Sequence, residues 1–164
     1  MKQRTAVLLM LGMLPWAGSY AQTTPATTTF KVTTKVQAVC EVTATDLAFG
    51  TYTAQGATPL QGTTLLRATC TPGSTYNVGL NEGTSPGATV NQRKMMSAGA
   101  QALNYQLYSD SARQTIWGNT AGTDTVTGVG TGLAVDHTVY GSIPAAQKVA
   151  AGNYADTITV TIYY

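Results

Sequence analysis

The chain has 164 residues, of which nine are Lys or Arg, seven Asp or Glu, one His and two Cys, and only 10% are charged. That length suits one domain with an ordinary core. No basic cluster exists to neutralise phosphates, which argues against nucleic acid or an acidic lipid surface as a partner.

The N-terminus reads as an export signal. Lys2 and Arg4 form a positive n-region, Ala6 to Leu14 an apolar h-region, and Ser19-Tyr20-Ala21 places small residues before a cleavage site. The apolar run is too short to span a bilayer, and no later run reaches the ~20 residues that a spanning helix needs. Cleavage after Ala21 is expected. It removes Lys2 and Arg4, so seven basic and seven acidic residues remain, and the mature chain is near neutral.

Gln22 to Thr29 is polar and Thr-rich, with no structure of its own expected. Phe30, Val32, Thr34, Val36, Ala38, Cys40 and Val42 then fall on one parity, either as one long strand or as two end to end with a break before Cys40. Further strands are predicted at 47–52, 63–70, 76–80, 103–108, 115–117 and 138–143, from alternation between turn residues. Thr71-Pro72-Gly73, Asn81-Glu82-Gly83, Ser85-Pro86-Gly87 and Gly152-Asn153 mark the turns. Residues 119–132 are rich in Gly and Thr and read as a surface loop or a weak edge. The chain closes on Tyr154 to Tyr164, read as one strand with Ile158, Val160, Ile162 and Tyr164 on one face and Thr157, Thr159, Thr161 and Tyr163 on the other. Short strands without helical periodicity predict an all-β sandwich. A strand of this quality at the end of a chain needs a partner, inside the fold or on another chain.

Cys40 and Cys70 form an even pair in an exported chain, which predicts a disulfide. A metal site is the rival reading, and neither residue has a companion Cys or His nearby in sequence. No cofactor is implied. His137, the single histidine, sits in an alternating segment, and the acidic residues are scattered without pairing. Gly128-x-Gly130-x-Gly132 lacks the βαβ context of a dinucleotide site. The nine tyrosines are spread through predicted strands, where core and rim positions are the default over a sugar-binding face. An enzyme is therefore not expected.

An ordered set of motifs runs through the mature chain. It comprises Val39-Cys40-Glu41-Val42, Leu47-Ala48-Phe49-Gly50-Thr51-Tyr52, Cys70, and Leu103-Asn104-Tyr105-Gln106-Leu107-Tyr108 with Asp110, Arg113 and Trp117-Gly118. It continues through Val139-Tyr140-Gly141-Ser142-Ile143-Pro144-Ala145, Gln147 and Gly152 to Val160. This pattern resembles the spore coat U domain family, which includes subunits of archaic (Csu-type) chaperone–usher pili. The resemblance implies an immunoglobulin-like sandwich that lacks one strand and is completed in trans. It implies a periplasmic chaperone, an outer-membrane usher and neighbouring pilins as partners, with export through the periplasm to the cell surface. The N-terminal extension of one subunit would add a strand to the next, as in β-augmentation. On this chain the division becomes residues 1–21 as signal, 22–36 as donor extension and 37–164 as pilin domain. Phe30, Val32, Thr34 and Val36 would face the groove, which Ile158, Val160, Ile162, Tyr163 and Tyr164 would border. The rival is a self-complete secreted β-sandwich, a coat or carbohydrate-binding protein, in which residues 30–42 pair at home.

Overall fold

The computed structural model describes residues 24–164, so the expected export signal lies outside the described residues. The chain divides into two units, Met1–Lys35 and Val36–Tyr164. Residues 24–35 carry no regular secondary structure. Val36–Tyr164 contains nine strands and no helix, in two antiparallel sheets. The strands are β1 Cys40–Ala44, β2 Leu60–Cys70, β3 Thr75–Leu80, β4 Arg93–Ser97, β5 Ala102–Tyr108, β6 Val126–Val129, β7 Ala134–Ile143, β8 Tyr154–Ala155 and β9 Val160–Tyr163.

The larger sheet runs β1-β2-β7-β5-β4-β8 and the smaller runs β6-β3-β9. Between them lies the core, with Leu66, Ala68, Tyr76, Val78, Leu80, Leu103, Leu107, Trp117, Val139 and Ile143 buried. Apart from Trp117, these residues recur at every second position along β2, β3, β5 and β7, so the period-two pattern sets which face each strand buries. The fold is all-β, and the two-sheet arrangement is that of an immunoglobulin-like sandwich.

Several boundaries differ from expectation. The run from Phe30 is not a strand until Cys40, because residues 24–39 make no ladder. Leu47 to Tyr52 and Thr115 to Trp117 are not strands; the latter contributes one isolated bridge, Tyr108 to Ile116. Within 119–132 the loop-or-edge reading resolves to β6, an edge strand of the small sheet. β4 was not expected. The closing segment is two strands on different sheets: β8 pairs with β4 and β9 with β3.

Candidate functional site

The break in the closing segment has a definable cause. Asp156 shares inward parity with Tyr154 and Ile158, and its carboxylate cannot enter the core without donors. Its Oδ1 accepts from Thr84 N at 2.8 Å, Thr84 Oγ1 at 3.0 Å and Thr157 N at 2.9 Å, and its Oδ2 accepts from the Tyr105 hydroxyl at 2.7 Å. Burial, followed by the bond to Asp156, raises the Tyr105 phenol far above its usual value, so it stays a donor. One turn later Asn81 Oδ1 accepts from Thr159 N at 2.8 Å. These bonds pin the crossover from the large sheet to the small one.

β9 bonds to β3 on one side and to no strand on the other. The gap between β9 and β1 is narrow, with Cα atoms of the two strands within 8 Å. Toward Tyr154 the gap opens into a cleft of about 540 Å³ between Ala44–Phe49 and Tyr154–Val160. Its floor is the core itself: Leu66, Leu80, Tyr105, Leu107 and Val139. A second cleft of about 740 Å³ continues past Phe49 and Met95 to Val149–Tyr154, and both clefts share Leu47, Ala48, Phe49, Met95 and Tyr154. The result is a groove with an apolar floor beside the β9 edge, continuing into the second cleft past the Leu47–Phe49 segment.

That segment is seated by two glycines. Gly62 and Gly141 are direct partners across β2 and β7, and a Cβ at either would press on Leu47 and Phe49. At Gly141 it would come within 2.6 Å of Leu47 Cδ2 and of Phe49 Cζ, closer than Cβ atoms stand. Paired glycines thus make a shallow seat on an otherwise crowded sheet, and Leu47 and Phe49 fill it. Tyr52 anchors the far end, donating its hydroxyl to Pro144 O at 2.8 Å and accepting from Gln147 N at 2.9 Å. The other end is held by the Cys40–Cys70 disulfide, which joins β1 to β2 at directly paired positions.

Of the residues singled out by sequence, Ile158 and Val160 line the groove. Ile162 is half-buried against the core, opposite Val78. Tyr163 is half-buried and donates to Asn119 O at 3.0 Å, while Tyr164 is exposed. Phe30 and Val32 are 86% and 83% exposed, and Thr34 and Val36 are exposed with them.

Sequence reasoning missed Arg93, which is fully buried on β4. Its Nε donates to Asn81 O, one terminal nitrogen to Val90 O and Gln106 Oε1, and the other to Leu80 O and Trp117 O, at 2.7–3.2 Å. All five N–H groups are satisfied by neutral acceptors. Burial lowers its pKa, opposed by Tyr105, Asp156, Asp124 and Glu82. Arg93 stands between Gln92 and Lys94 in the sequence, so nothing in its immediate neighbours signals burial. His137, the one histidine, is hydrogen-bonded through Nε2 to the Tyr76 hydroxyl at 2.9 Å, and burial holds its pKa below the usual value. The imidazole is a strut between the sheets. Among the described residues no group of three or more His, Cys, Asp or Glu is placed to hold a metal ion.

The Spore Coat Protein U domain model matches residues 26–161, which is most of the chain. Protein U of Myxococcus xanthus is 39% identical over 104 residues, covering 60% of this chain and 58% of that protein. The crystal structure of the CsuC–CsuE chaperone–tip adhesion subunit pre-assembly complex, from archaic chaperone-usher Csu pili of Acinetobacter baumannii, superposes with a TM-score of 0.53 at 27% identity. That match covers 79% of this chain and 40% of the other. In both cases the match spans less than two thirds of the other chain.

Proposed function

This chain belongs to the Spore Coat Protein U domain family, and from that premise we propose that it is a secreted pilus subunit assembled by the chaperone–usher route. It polymerises by donor-strand exchange and serves surface adhesion and biofilm formation. The observation that carries this reading is the unpaired edge of β9 beside a groove whose floor is the hydrophobic core. An uncovered strand edge over apolar side chains is a template for an added strand.

The added strand comes from residues 22–36 of a neighbouring subunit. Phe30, Val32, Thr34 and Val36 lie on one parity, spaced about 6.6 Å apart along an extended chain. They enter the gap between Ala44–Phe49 and Tyr154–Val160. Before assembly a periplasmic chaperone fills the same gap, and exchange takes place at the outer-membrane usher. Support also comes from the extension itself: residues 24–39 make no strand of their own, whereas the self-complete rival needs 30–42 to pair at home.

Deletion of residues 22–35 tests this. The truncated chain is expected to fold, oxidise Cys40–Cys70 and bind its chaperone, yet never to donate a strand to a multimer. A truncated chain that unfolds, or that enters multimers as well as the full chain, would overturn the proposal.

A further inference from the structure

The chain has five methionines and two cysteines. Met1, Met10 and Met13 fall within the expected export signal, which leaves Met95 and Met96. Both cysteines are joined in the Cys40–Cys70 disulfide, so these two thioethers are the only reduced sulfur atoms beyond residue 21. They are neighbours on β4 and therefore point to opposite faces. Met95 pairs with Leu103, packs against the core and lines both clefts. Met96 pairs with Ala102 and Ala155 and lines neither. Each is half-buried rather than sealed.

We propose that Met95 is an oxidative modification site, with a peroxide as the oxidant, and that its sulfoxide closes the groove to an incoming strand. The inference rests on the strand-exchange reading above. A lone pair of the Met95 sulfur attacks one oxygen of hydrogen peroxide, and the S–O bond forms as the O–O bond breaks. The hydroxysulfonium so formed gives its proton to the departing hydroxide, which leaves as water. Sulfur has then lost two electrons and the peroxide has gained them. The product sets a polar acceptor oxygen on an apolar floor. The tyrosine hydroxyls lining the clefts are already committed, Tyr52 to Pro144 O, Tyr105 to Asp156 and Tyr154 to Ala150 O. Water solvates the sulfoxide while the groove is open. A seated strand strips that water away and leaves the oxygen unpaired, so the penalty falls on the filled state alone. Protection runs the other way: a strand already seated covers Met95, while Met96 keeps its exposure. Oxidation therefore distinguishes an unassembled subunit from an assembled one.

Hydrogen peroxide applied to the full chain, as dilute monomer and in assembled form, tests this, with sulfoxide at each methionine followed by peptide mapping. Both methionines are expected to oxidise in the monomer, and only Met96 at an undiminished rate in the assembled form. A Met96→Leu chain isolates the groove sulfur. Treated with peroxide as monomer, it is expected to need about tenfold more protein, or beyond, to reach half assembly, and a methionine sulfoxide reductase should reverse the loss. A Met95→Leu chain, compared with itself before treatment, should not respond. Met95 resisting peroxide in the monomer, a treated Met96→Leu chain that assembles like the untreated one, or an equal loss in the Met95→Leu chain overturns the proposal and leaves strand exchange standing. If Met95 oxidises as fast in the assembled form as in the monomer, the groove is not what assembly fills, and both readings fall.

Discussion

The Arg93 guanidinium is held wholly by neutral acceptors, four of them carbonyls from Leu80, Asn81, Val90 and Trp117. Leu80 is also part of the groove floor. The arginine therefore fixes the end of β3 and the turn after it, the stretch against which Asn81 and Thr159 then bond. Removing it leaves several buried carbonyls without donors, and each such group costs about 1–3 kcal/mol. Arg93→Met is expected to destabilise the domain by about 3–5 kcal/mol, because several of these buried acceptors lose their donor together. Arg93→Lys gives little rescue, because a lysine supplies three donors from a single point where five are needed in a planar fork. Denaturant midpoints at unchanged slope measure this. A lysine variant as stable as the parent would show that the fork is not what holds the turn.

At the scale of elements, the groove depends on where the Leu47–Phe49 segment lies, and that depends on Gly62 and Gly141. Valine at Gly141 favours the strand locally, since β-branched residues suit a pleated sheet. It also forces Leu47 and Phe49 out of their seat. Overpacking of this kind costs about 1–3 kcal/mol, so Gly141→Val is expected to lower stability despite its better strand propensity. Calorimetry decides the sign; a rise in melting temperature would mean that the segment has a second resting place. Why these elements were or were not legible follows from the same physics. Alternation in 47–52 puts Leu47 and Phe49 on one parity and reads as a strand. It could not say whether the backbone has a ladder partner, and here it has none. β4 carries Arg93, Lys94 and two methionines with no β-branched residue, so it becomes a strand through its pairing with β5 rather than through propensity. In the closing segment the warning was Asp156 on the apolar parity, where a carboxylate must find donors and the strand must bend to supply them. The disulfide was readable because an even pair of cysteines in an exported chain defaults to one; of the final apolar parity, Ile158, Val160 and Ile162 pack on the core whereas Tyr164 is exposed.

For the whole molecule, the question is whether a sandwich with an open groove gains from filling it. Burying three or four side chains such as Phe30, Val32 and Val36 is worth roughly 5–10 kcal/mol gross at the usual area coefficient. Ordering about eight residues costs a similar amount at ~1–2 kcal/mol each. Backbone pairing with β9 and fit to the groove thus decide the outcome, and a slip of one residue would turn Lys31, Thr33 and Lys35 inward instead. In the proposed exchange, register would be enforced by the extension's own alternation, two lysines and a threonine against an apolar floor. A peptide of residues 24–36 added to the chain lacking residues 22–35 is expected to bind and to raise its melting temperature. At a hundredfold excess over Kd, ligand linkage supplies about 2.7 kcal/mol, or roughly 10 °C for a domain of this size. A peptide carrying Val32→Lys should lose most of that shift, because its lysine enters the floor with no partner charge. Moving the same lysine to position 33, on the outward parity, should leave the shift intact. Scanning calorimetry of the three peptides separates a strand docked in register from apolar adhesion, since adhesion would respond alike to either lysine.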